Sequence, residues 1–221
     1  MHVALLGGTG DIGEGLALRL ARDTDHAVTV GSRDAEKAGD AAGEYETILA
    51  DHGVKATVEG AENAAAAAAA DVAVCCVPAY HLTDTIEAVA DDLGDAVLVS
   101  PAVGMKSDES GMHYNPPGVG SVTELAAAAA PDGTPVAGAF HNLAAGRLGT
   151  LSADLDWDVP IVASDDTARE AVVTLVEDMS GLRPLVAGDL SNAAEIEGLT
   201  PLLINLARNN DGMHDLGVKF W

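Results

Sequence analysis

Short, uninterrupted apolar runs recur along this chain and alternate with longer segments of helical character. The first run, residues 3–6, and a later one, residues 72–77, show no alternation of polar and apolar side chains. Strands of this kind are typical of parallel sheets whose two faces are both covered by helices. The pattern therefore predicts an α/β fold, a Rossmann-type doubly wound parallel sheet with a smaller C-terminal α/β part.

The same pattern predicts the order of the elements. Strands are expected at residues 1–6, 27–30, 54–58, 71–77, 96–99, 136–140, 161–163 and 184–187. Helices are expected after residue 13, at residues 34–51, up to residue 70, and at residues 80–93, 121–130, 165–179 and 189–209. Residues 104–120 are predicted to form an irregular, mobile wall of a binding site. The apolar tail, residues 218–221, is expected to dock on its own domain or on a partner subunit.

A glycine-rich turn separates the first strand from the first helix. Gly8, Gly10 and Gly13 have the spacing G-x-G-x-x-G. Between a strand and a helix, such glycines permit a tight turn, close approach of the backbone to a pyrophosphate, and close helix–strand packing. The unpaired N–H groups of the helix start favour phosphate. A dinucleotide is therefore predicted to bind at Gly8, Thr9, Gly10, Asp11, Ile12 and Gly13.

The end of the second strand indicates which dinucleotide is bound. NAD-binding chains usually have Asp or Glu here to contact the ribose 2′-hydroxyl, whereas this chain has Ser32 and Arg33. A hydroxyl and a guanidinium suit a 2′-phosphate, because both donate hydrogen bonds and Arg also supplies charge. Lys37 either joins them or is a solvated surface lysine. The cofactor is predicted to be NADP(H).

Further candidate residues follow other predicted strands at their carboxyl ends, where ligands of such sheets lie. Val77 and Pro78 are expected to line the site, and His141 is delivered by a later strand. We interpret His141 either as a partner for a redox ring or as a core histidine. No metal site is expected, because His81 and Asp84 are too few ligands and the adjacent cysteines lack metal-type spacing.

The charge balance is unusual. The 221 residues include 35 acidic and 11 basic side chains, a formal net charge of −24. The acidic residues are spread along the whole chain, which favours adaptation to concentrated salt, where self-repulsion is screened, over a docking site for one basic partner. Nucleic acid is not an expected partner, because no basic face is present to neutralise phosphates.

Targeting signals are also not recognised in the sequence. The longest apolar stretch, residues 64–76, is mainly alanine and is interrupted by Asp71, so it is not expected to cross a membrane. The N-terminus enters the first strand without a basic region or a cleavage site. We therefore expect a cytoplasmic protein without a membrane partner.

Longer motifs extend this interpretation along nearly the whole chain. They are residues 3–10, 30–33, 156–160, 181–185, 190–192, 199–202 and 216–220. With these motifs the chain resembles the F420H2:NADP+ oxidoreductases (NADPH-dependent F420 reductases) of archaea and actinobacteria, and it looks like a haloarchaeal-type member. The resemblance implies reversible hydride transfer between the reduced deazaflavin coenzyme F420 and NADP+, usually by a homodimer. It also implies an NADP-binding Rossmann domain, residues 1–146, and a smaller part, residues 147–221, that closes the deazaflavin cleft and contributes to dimerisation.

The resemblance implies roles for individual residues. Family contacts to the 2′-phosphate and pyrophosphate match Thr9, Ser32, Arg33 and Lys37. Backbone positions near the nicotinamide carboxamide match Leu143 and Ala145. Residues that line the deazaflavin site match His141 and Thr200. We expect His141 to orient the deazaflavin, and no residue to be required as an acid or base, because the two carriers hold the chemistry.

Departures from the family pattern leave alternatives open. Family members can carry Arg and Ser where this chain has Ala194 and Gly198. The alternatives are an NADPH-dependent FMN or FAD reductase and a non-catalytic NADP(H)-binding redox sensor.

The anionic tail of F420 needs local cations in so acidic a protein. The candidates are Lys106, Arg147, Arg183 and Arg208.

Overall fold

An eight-stranded, mostly parallel sheet forms the centre of the computed structural model, which describes residues 1–221. The ten strands of the molecule are β1 (His2–Leu6), β2 (Ala27–Ser32), β3 (Val58–Glu62), β4 (Val72–Cys75), β5 (Val97–Ser100), β6 (Met105–Asp108), β7 (Gly111–Tyr114), β8 (Val136–Gly138), β9 (Trp157–Ala163) and β10 (Leu182–Gly188). Strands β6 and β7 form a separate hairpin. The predicted Rossmann-type α/β fold is confirmed.

The strand order places a binding crevice in the middle of the sheet. The order is β10-β9-β8-β5-β4-β1-β2-β3, and all neighbours are parallel except β8 and β9. From β1 the chain proceeds outward through β2 and β3 on one side and through β4 and β5 on the other. This reversal creates a topological switch point beyond the carboxyl ends of β1 and β4, where ligands of doubly wound sheets bind.

Helices cover both faces of the sheet. They are α1 (Asp11–Asp23), α2 (Ala35–Asp51), α3 (Asn63–Ala68), α4 (Leu82–Ala88), α5 (Val122–Ala129), α6 (Ala145–Gly149), α7 (Asp166–Glu177), α8 (Ala193–Glu197) and α9 (Leu199–Asn209). Helices α1, α2 and α7 belong to one apolar core, and α3, α4 and α5 to the other. Within β1, Val3 and Leu5 enter the first core and Ala4 and Leu6 the second. Burial on both faces explains the uninterrupted apolar runs.

The predicted irregular segment, residues 104–120, contains the β6–β7 hairpin, so that prediction was partly wrong. Asn205 of α9 holds the hairpin: its Oδ1 accepts from Met112 N at 2.8 Å and its Nδ2 donates to Met112 O at 2.7 Å. Most strand residues here are polar, and the residue that anchors them lies 93 positions away. A local pattern does not contain such a contact.

Other boundaries also differ from expectation, and β9 begins at Trp157, four residues before the expected start. The third strand is Val58–Glu62 and not residues 54–58, because it is an edge strand with mostly exposed side chains and a weak apolar signal. The predicted helix at residues 80–93 is broken into α4 and two short 3₁₀ turns. The later position of β3 moves its carboxyl end, and therefore changes which residues follow it.

After residue 146 the chain adds β9 and β10 to the same sheet, and α8 and α9 follow. The tail docks on this part through hydrogen bonds from Phe220 N to Asp158 Oδ2 and from Lys219 Nζ to Asp156 Oδ1, both 2.6 Å. The Phe220 backbone and the Lys219 side chain thus bind residues of the same chain, whereas the apolar side chains of Phe220 and Trp221 are exposed. The division at residue 146 stays a prediction. None of the helices combines the length and apolar character needed to cross a membrane.

Candidate functional site

The turn between β1 and α1 leaves an open, glycine-walled space. Gly8 N donates to the carbonyls of Leu5 and Gly31, both at 2.9 Å. A Cβ on Gly13 would collide with the Gly8 backbone, so only glycine allows this packing. A Cβ on Gly10 would meet nothing within 4 Å. The chain thus packs tightly on one side of the turn and keeps the other side free for a ligand.

The start of α1 presents hydrogen-bond donors to this space. Gly10 is the N-cap, and no side chain caps the helix. The N–H groups of Asp11 and Ile12 belong to the first turn, which has no intrahelical acceptors for them. Together with the helix dipole these donors suit a phosphate. The Ile12 side chain packs against the core, the Asp11 side chain is exposed, and Thr9 lines the adjacent cleft.

Two unpaired cations lie at one end of this cleft. Ser32 at the end of β2 is 7% exposed, and its Oγ accepts from Asp34 N at 3.3 Å. Asp34 caps α2 by accepting from Glu36 N and Lys37 N. Arg33 and Lys37 are exposed and form no ion pair. In a chain with 35 acidic residues, unpaired cations beside a cleft indicate an anionic ligand.

Sequence reasoning missed several residues of this cleft, which has a volume of about 330 Å³. Gly7 adopts a left-handed conformation, φ +71°, and its N–H donates to Asn63 Oδ1 at 3.1 Å. Asn63 directly follows β3, so a strand-end signal existed, but the predicted strand ended at residue 58. Thr85 also lines the cleft. No cluster of potential metal ligands is present, and His81 and Asp84 face the same cleft without forming one.

An apolar groove of about 510 Å³ continues from the cleft beside Arg33 and Lys37. One surface leads from the cations past the glycine turn, because the cleft and the groove share Gly10, Cys76, Val77 and Pro78. The groove ends at Ala145, the first residue of α6. The other groove residues are Asp11, Ile12, Ala79, Tyr80, Ala102, Val103 and Met105. Its mostly apolar wall suits a flat aromatic ring.

A third pocket, of about 270 Å³, adjoins the groove at Ala145. Phe140 precedes it in a left-handed conformation, φ +68°, which is strained for an aromatic residue and turns the chain out of the sheet. His141 and Thr200 both line the pocket, and Thr200 Oγ1 donates to His141 O at 2.7 Å. Leu143 lines it as well, and its amide already donates to Phe140 O at 3.1 Å, leaving its carbonyl for a ligand.

The His141 side chain is buried but only partly satisfied. It is 5% exposed, and burial lowers its pKa to about 3, so the ring is neutral at physiological pH. Nε2 lies 3.4 Å from Thr123 Oγ1, while Nδ1 is buried and has no hydrogen-bond partner. His141 is therefore not a core histidine with hydrogen-bond partners on both nitrogens. An unpaired buried nitrogen beside a pocket is a position that a ligand can complete.

The four candidate cations for an anionic tail differ in availability. Arg183 is already engaged, with Nε and Nη2 donating to Asp158 at 2.7 Å each and Nη2 also to Phe220 O at 2.6 Å. Arg183 is therefore the least available of the four candidates, because Asp158 is buried and requires its charge. Arg147 donates to a backbone carbonyl, whereas Lys106 and Arg208 are exposed and have no partner.

The chain matches known proteins along most of its length. A sequence model of the family described as NADP oxidoreductase, coenzyme F420-dependent, matches residues 2–104. The F420-dependent NADP reductase of Methanothermobacter thermautotrophicus is 40% identical over 213 residues, which are 95% of this chain and 90% of that protein. The enzyme of the same name from Methanocaldococcus jannaschii is 35% identical over 209 residues, 93% of this chain and 92% of that protein.

A solved structure agrees with the fold over the whole chain. It is a crystal structure of a proposed F420-dependent NADP reductase from Arthrobacter sp. FB24, with a TM-score of 0.80 and 26% sequence identity. The match covers 99% of this chain and 98% of that one. The C-terminal elements are therefore part of the shared fold.

Proposed function

The chain belongs to the family of F420-dependent NADP oxidoreductases, and we infer that it transfers a hydride between the reduced coenzyme F420 and NADP+. The observation that carries this function onto the chain's own residues is the continuous groove from the unpaired Arg33 and Lys37, past the glycine turn, to the pocket of His141. One end of that groove suits an extra phosphate, and the other end suits an apolar ring with a polar edge.

For the NADP half, we propose that the turn residues 8–13 hold the pyrophosphate and that Ser32, Arg33 and Lys37 hold the 2′-phosphate. The uncapped start of α1 and the open face of Gly10 support the first assignment. The absence of any ion pair to Arg33 or Lys37 supports the second. Val77, Pro78 and the backbone at Leu143 and Ala145 are proposed to flank the nicotinamide.

For the F420 half, we propose that His141 and Thr200 line the place of the deazaflavin. The bound carriers supply the hydride chemistry between their own rings. The protein orients the two rings and excludes water through the apolar groove wall. The neutral His141 provides a hydrogen bond to the ring edge and is not required as an acid or base, which agrees with its lowered pKa.

Four further properties are proposed for the molecule as a whole. A homodimer is supported by α9, where Pro201 is buried and Leu202 and Leu206 are 52% and 42% exposed. Adaptation to concentrated salt is supported by the net charge of −24. A cytoplasmic location is supported by two free, buried cysteines, which are usual in a reducing compartment. Closure of the F420 cleft by residues 147–221 is supported by the position of Thr200.

Rapid mixing tests the function directly. The protein is mixed with NADPH and with oxidised F420, FMN or FAD in separate reactions, and the visible absorbance of each carrier is followed. We expect F420 alone to be reduced efficiently. Reduction of only FMN or FAD would identify a flavin reductase. Reduction of none of them, with NADPH still bound, would favour a redox sensor.

A further inference from the structure

Glu197, at the end of α8, is a fully buried carboxylate that has no part in the function proposed above. Its Oε2 accepts from Tyr114 Oη at 2.8 Å and from Val122 N at 3.0 Å. Its Oε1 accepts from Thr123 N at 2.9 Å and from Thr123 Oγ1 at 3.0 Å. All four partners are donors, which is the arrangement that an ionised carboxylate requires because it can only accept.

Two of these contacts fix the charge in place. Val122 and Thr123 form the first turn of α5, so their N–H groups lack intrahelical acceptors and the helix dipole favours a negative charge there. Burial and the neighbouring Glu197 raise the pKa of Tyr114, so its hydroxyl keeps the proton that it donates. Glu197 is therefore a fixed acceptor at the centre of a buried network.

The network determines which nitrogen of His141 carries the proton. The Thr123 hydroxyl has one hydrogen, and Glu197 accepts it. Thr123 Oγ1 can then only accept from His141 Nε2, 3.4 Å away, so Nε2 must carry a proton. A neutral imidazole has a single N–H, which leaves Nδ1 unprotonated. Nδ1 is the buried atom that has no partner in the protein.

We propose that Glu197 is a positioning residue that sets the tautomer of His141 through Thr123, so that Nδ1 is presented to the redox ring as a hydrogen-bond acceptor. The proposal rests on the assignment of the His141 pocket to the F420 ring. It adds a specificity rule, because a ring with an N–H or O–H group at this edge completes Nδ1, whereas a ring with only acceptors there leaves two acceptors facing each other.

The tautomer can be measured by NMR on the full chain labelled with ¹⁵N-histidine, without NADP+ or F420. The His141 signals are identified by their loss in His141→Asn. We expect a protonated Nε2 and an unprotonated Nδ1 in the natural protein. In Thr123→Val, which removes the hydroxyl and nearly keeps the volume, the proton should distribute over both nitrogens. Thr123→Ser should restore the natural tautomer, and Tyr114→Phe should keep it, since that bond lies outside the relay.

Kinetics test the consequence for the ring. Thr123→Val should raise the KM for F420 about three- to tenfold, the effect of one hydrogen bond, with the KM for NADPH unchanged. Thr123→Ser should reverse that rise. A protonated Nδ1 in the natural protein, an unchanged tautomer in Thr123→Val, or an unchanged KM for F420 would overturn the proposal. The NMR experiment is carried out without NADP+ or F420, so it tests the effect of Thr123 on His141 independently of the reaction. Absence of hydride transfer would contradict the proposed function and not this proposal.

Discussion

At the scale of single residues, ion pairing separates the cations that hold the fold from those left for a ligand. Arg183 is paired with the buried Asp158, and Lys219 with Asp156. Arg33 and Lys37 have no such partner although acidic residues outnumber basic ones 35 to 11. An unpaired cation in so acidic a molecule is therefore a stronger indication of a ligand site than it would be in a neutral protein.

The role of Arg33 can be tested by replacing it with glutamine. We expect Arg33→Gln to raise the KM for NADPH about 10- to 100-fold, the usual worth of a charge-assisted hydrogen bond to phosphate. The KM for NADH should change little, because NADH lacks the 2′-phosphate. Lys55→Gln, which removes one charge from an exposed loop, is the matched control. Equal losses for NADPH and NADH would show that Arg33 does not contact the 2′-phosphate.

Single residues also show how far local patterns reach. The glycine spacing and Ser32-Arg33 could be interpreted from the sequence because each depends on neighbouring positions. For His141, the sequence left two interpretations open. The tertiary structure distinguishes its two nitrogens, because Thr123, 18 residues earlier, lies beside Nε2 and not beside Nδ1.

At the scale of elements, one buried arginine connects α1 to α6 and to the residues that follow α6. Arg19 of α1 is 1% exposed and donates to the carbonyls of Leu148, Arg147, Thr150 and Ala153 at 2.9, 3.1, 2.7 and 2.9 Å. These carbonyls belong to the end of α6 and the residues after it. Arg147 O and Thr150 O also accept from backbone N–H groups, of Thr150 at 3.3 Å and of Ala153 at 2.9 Å, so Arg19 adds a second donor to those two. Arg19 therefore fixes α6, whose first residue closes the groove.

Removing this arginine should destabilise the protein. We expect Arg19→Met to lower the free energy of unfolding by about 3 kcal/mol, because four carbonyls lose their hydrogen bond to the guanidinium while packing volume is nearly kept. Urea denaturation followed by circular dichroism measures the loss. Arg169→Met breaks only an exposed ion pair on α7 and should cost less than about 0.5 kcal/mol. Comparable values for the two variants would refute the structural role of Arg19.

Element boundaries were predicted well for several elements with a strong apolar pattern. Helices α2 and α7 and strands β1 and β5 lie within a residue or two of expectation. The larger errors are β3, an edge strand, the β6–β7 hairpin, which Asn205 holds from α9, and the start of β9, which lies four residues before the expected one. Such elements are stabilised by partners distant in sequence, so local periodicity carries little information about them.

At the scale of the whole molecule, the exposed apolar side of α9 is the basis for the proposed homodimer. Leu202 and Leu206 are four residues apart and therefore lie on the same face of the helix. We expect the double substitution Leu202→Glu and Leu206→Glu to shift a dimer to a monomer in light scattering. Val119→Glu, at an equally exposed valine outside α9, should leave the assembly unchanged. A natural protein that is already monomeric would exclude this interface.

The net charge leads to a prediction about salt. At about 1 M salt the Debye length is about 3 Å, so repulsion among exposed acidic residues is largely screened. We expect the Tm to rise on transfer from low to molar KCl, and a gain of about 2 kcal/mol would correspond to about 4–8 °C. Calorimetry at several salt concentrations measures this shift. A Tm that is independent of salt would contradict the proposed salt adaptation.

The sequence by itself determined the fold class, the dinucleotide turn and the preference for a 2′-phosphate, because each depends on consecutive residues whose chemistry is local. The tertiary structure decided which cations remain free, how the hairpin is held, and that Glu197, Thr123 and His141 meet in one network. The chain positions of those three residues span 74 residues from Thr123 to Glu197, and only packing of α5, α8 and the end of β8 brings them together. Burial then removes competing water, so these few contacts decide the protonation of the pocket.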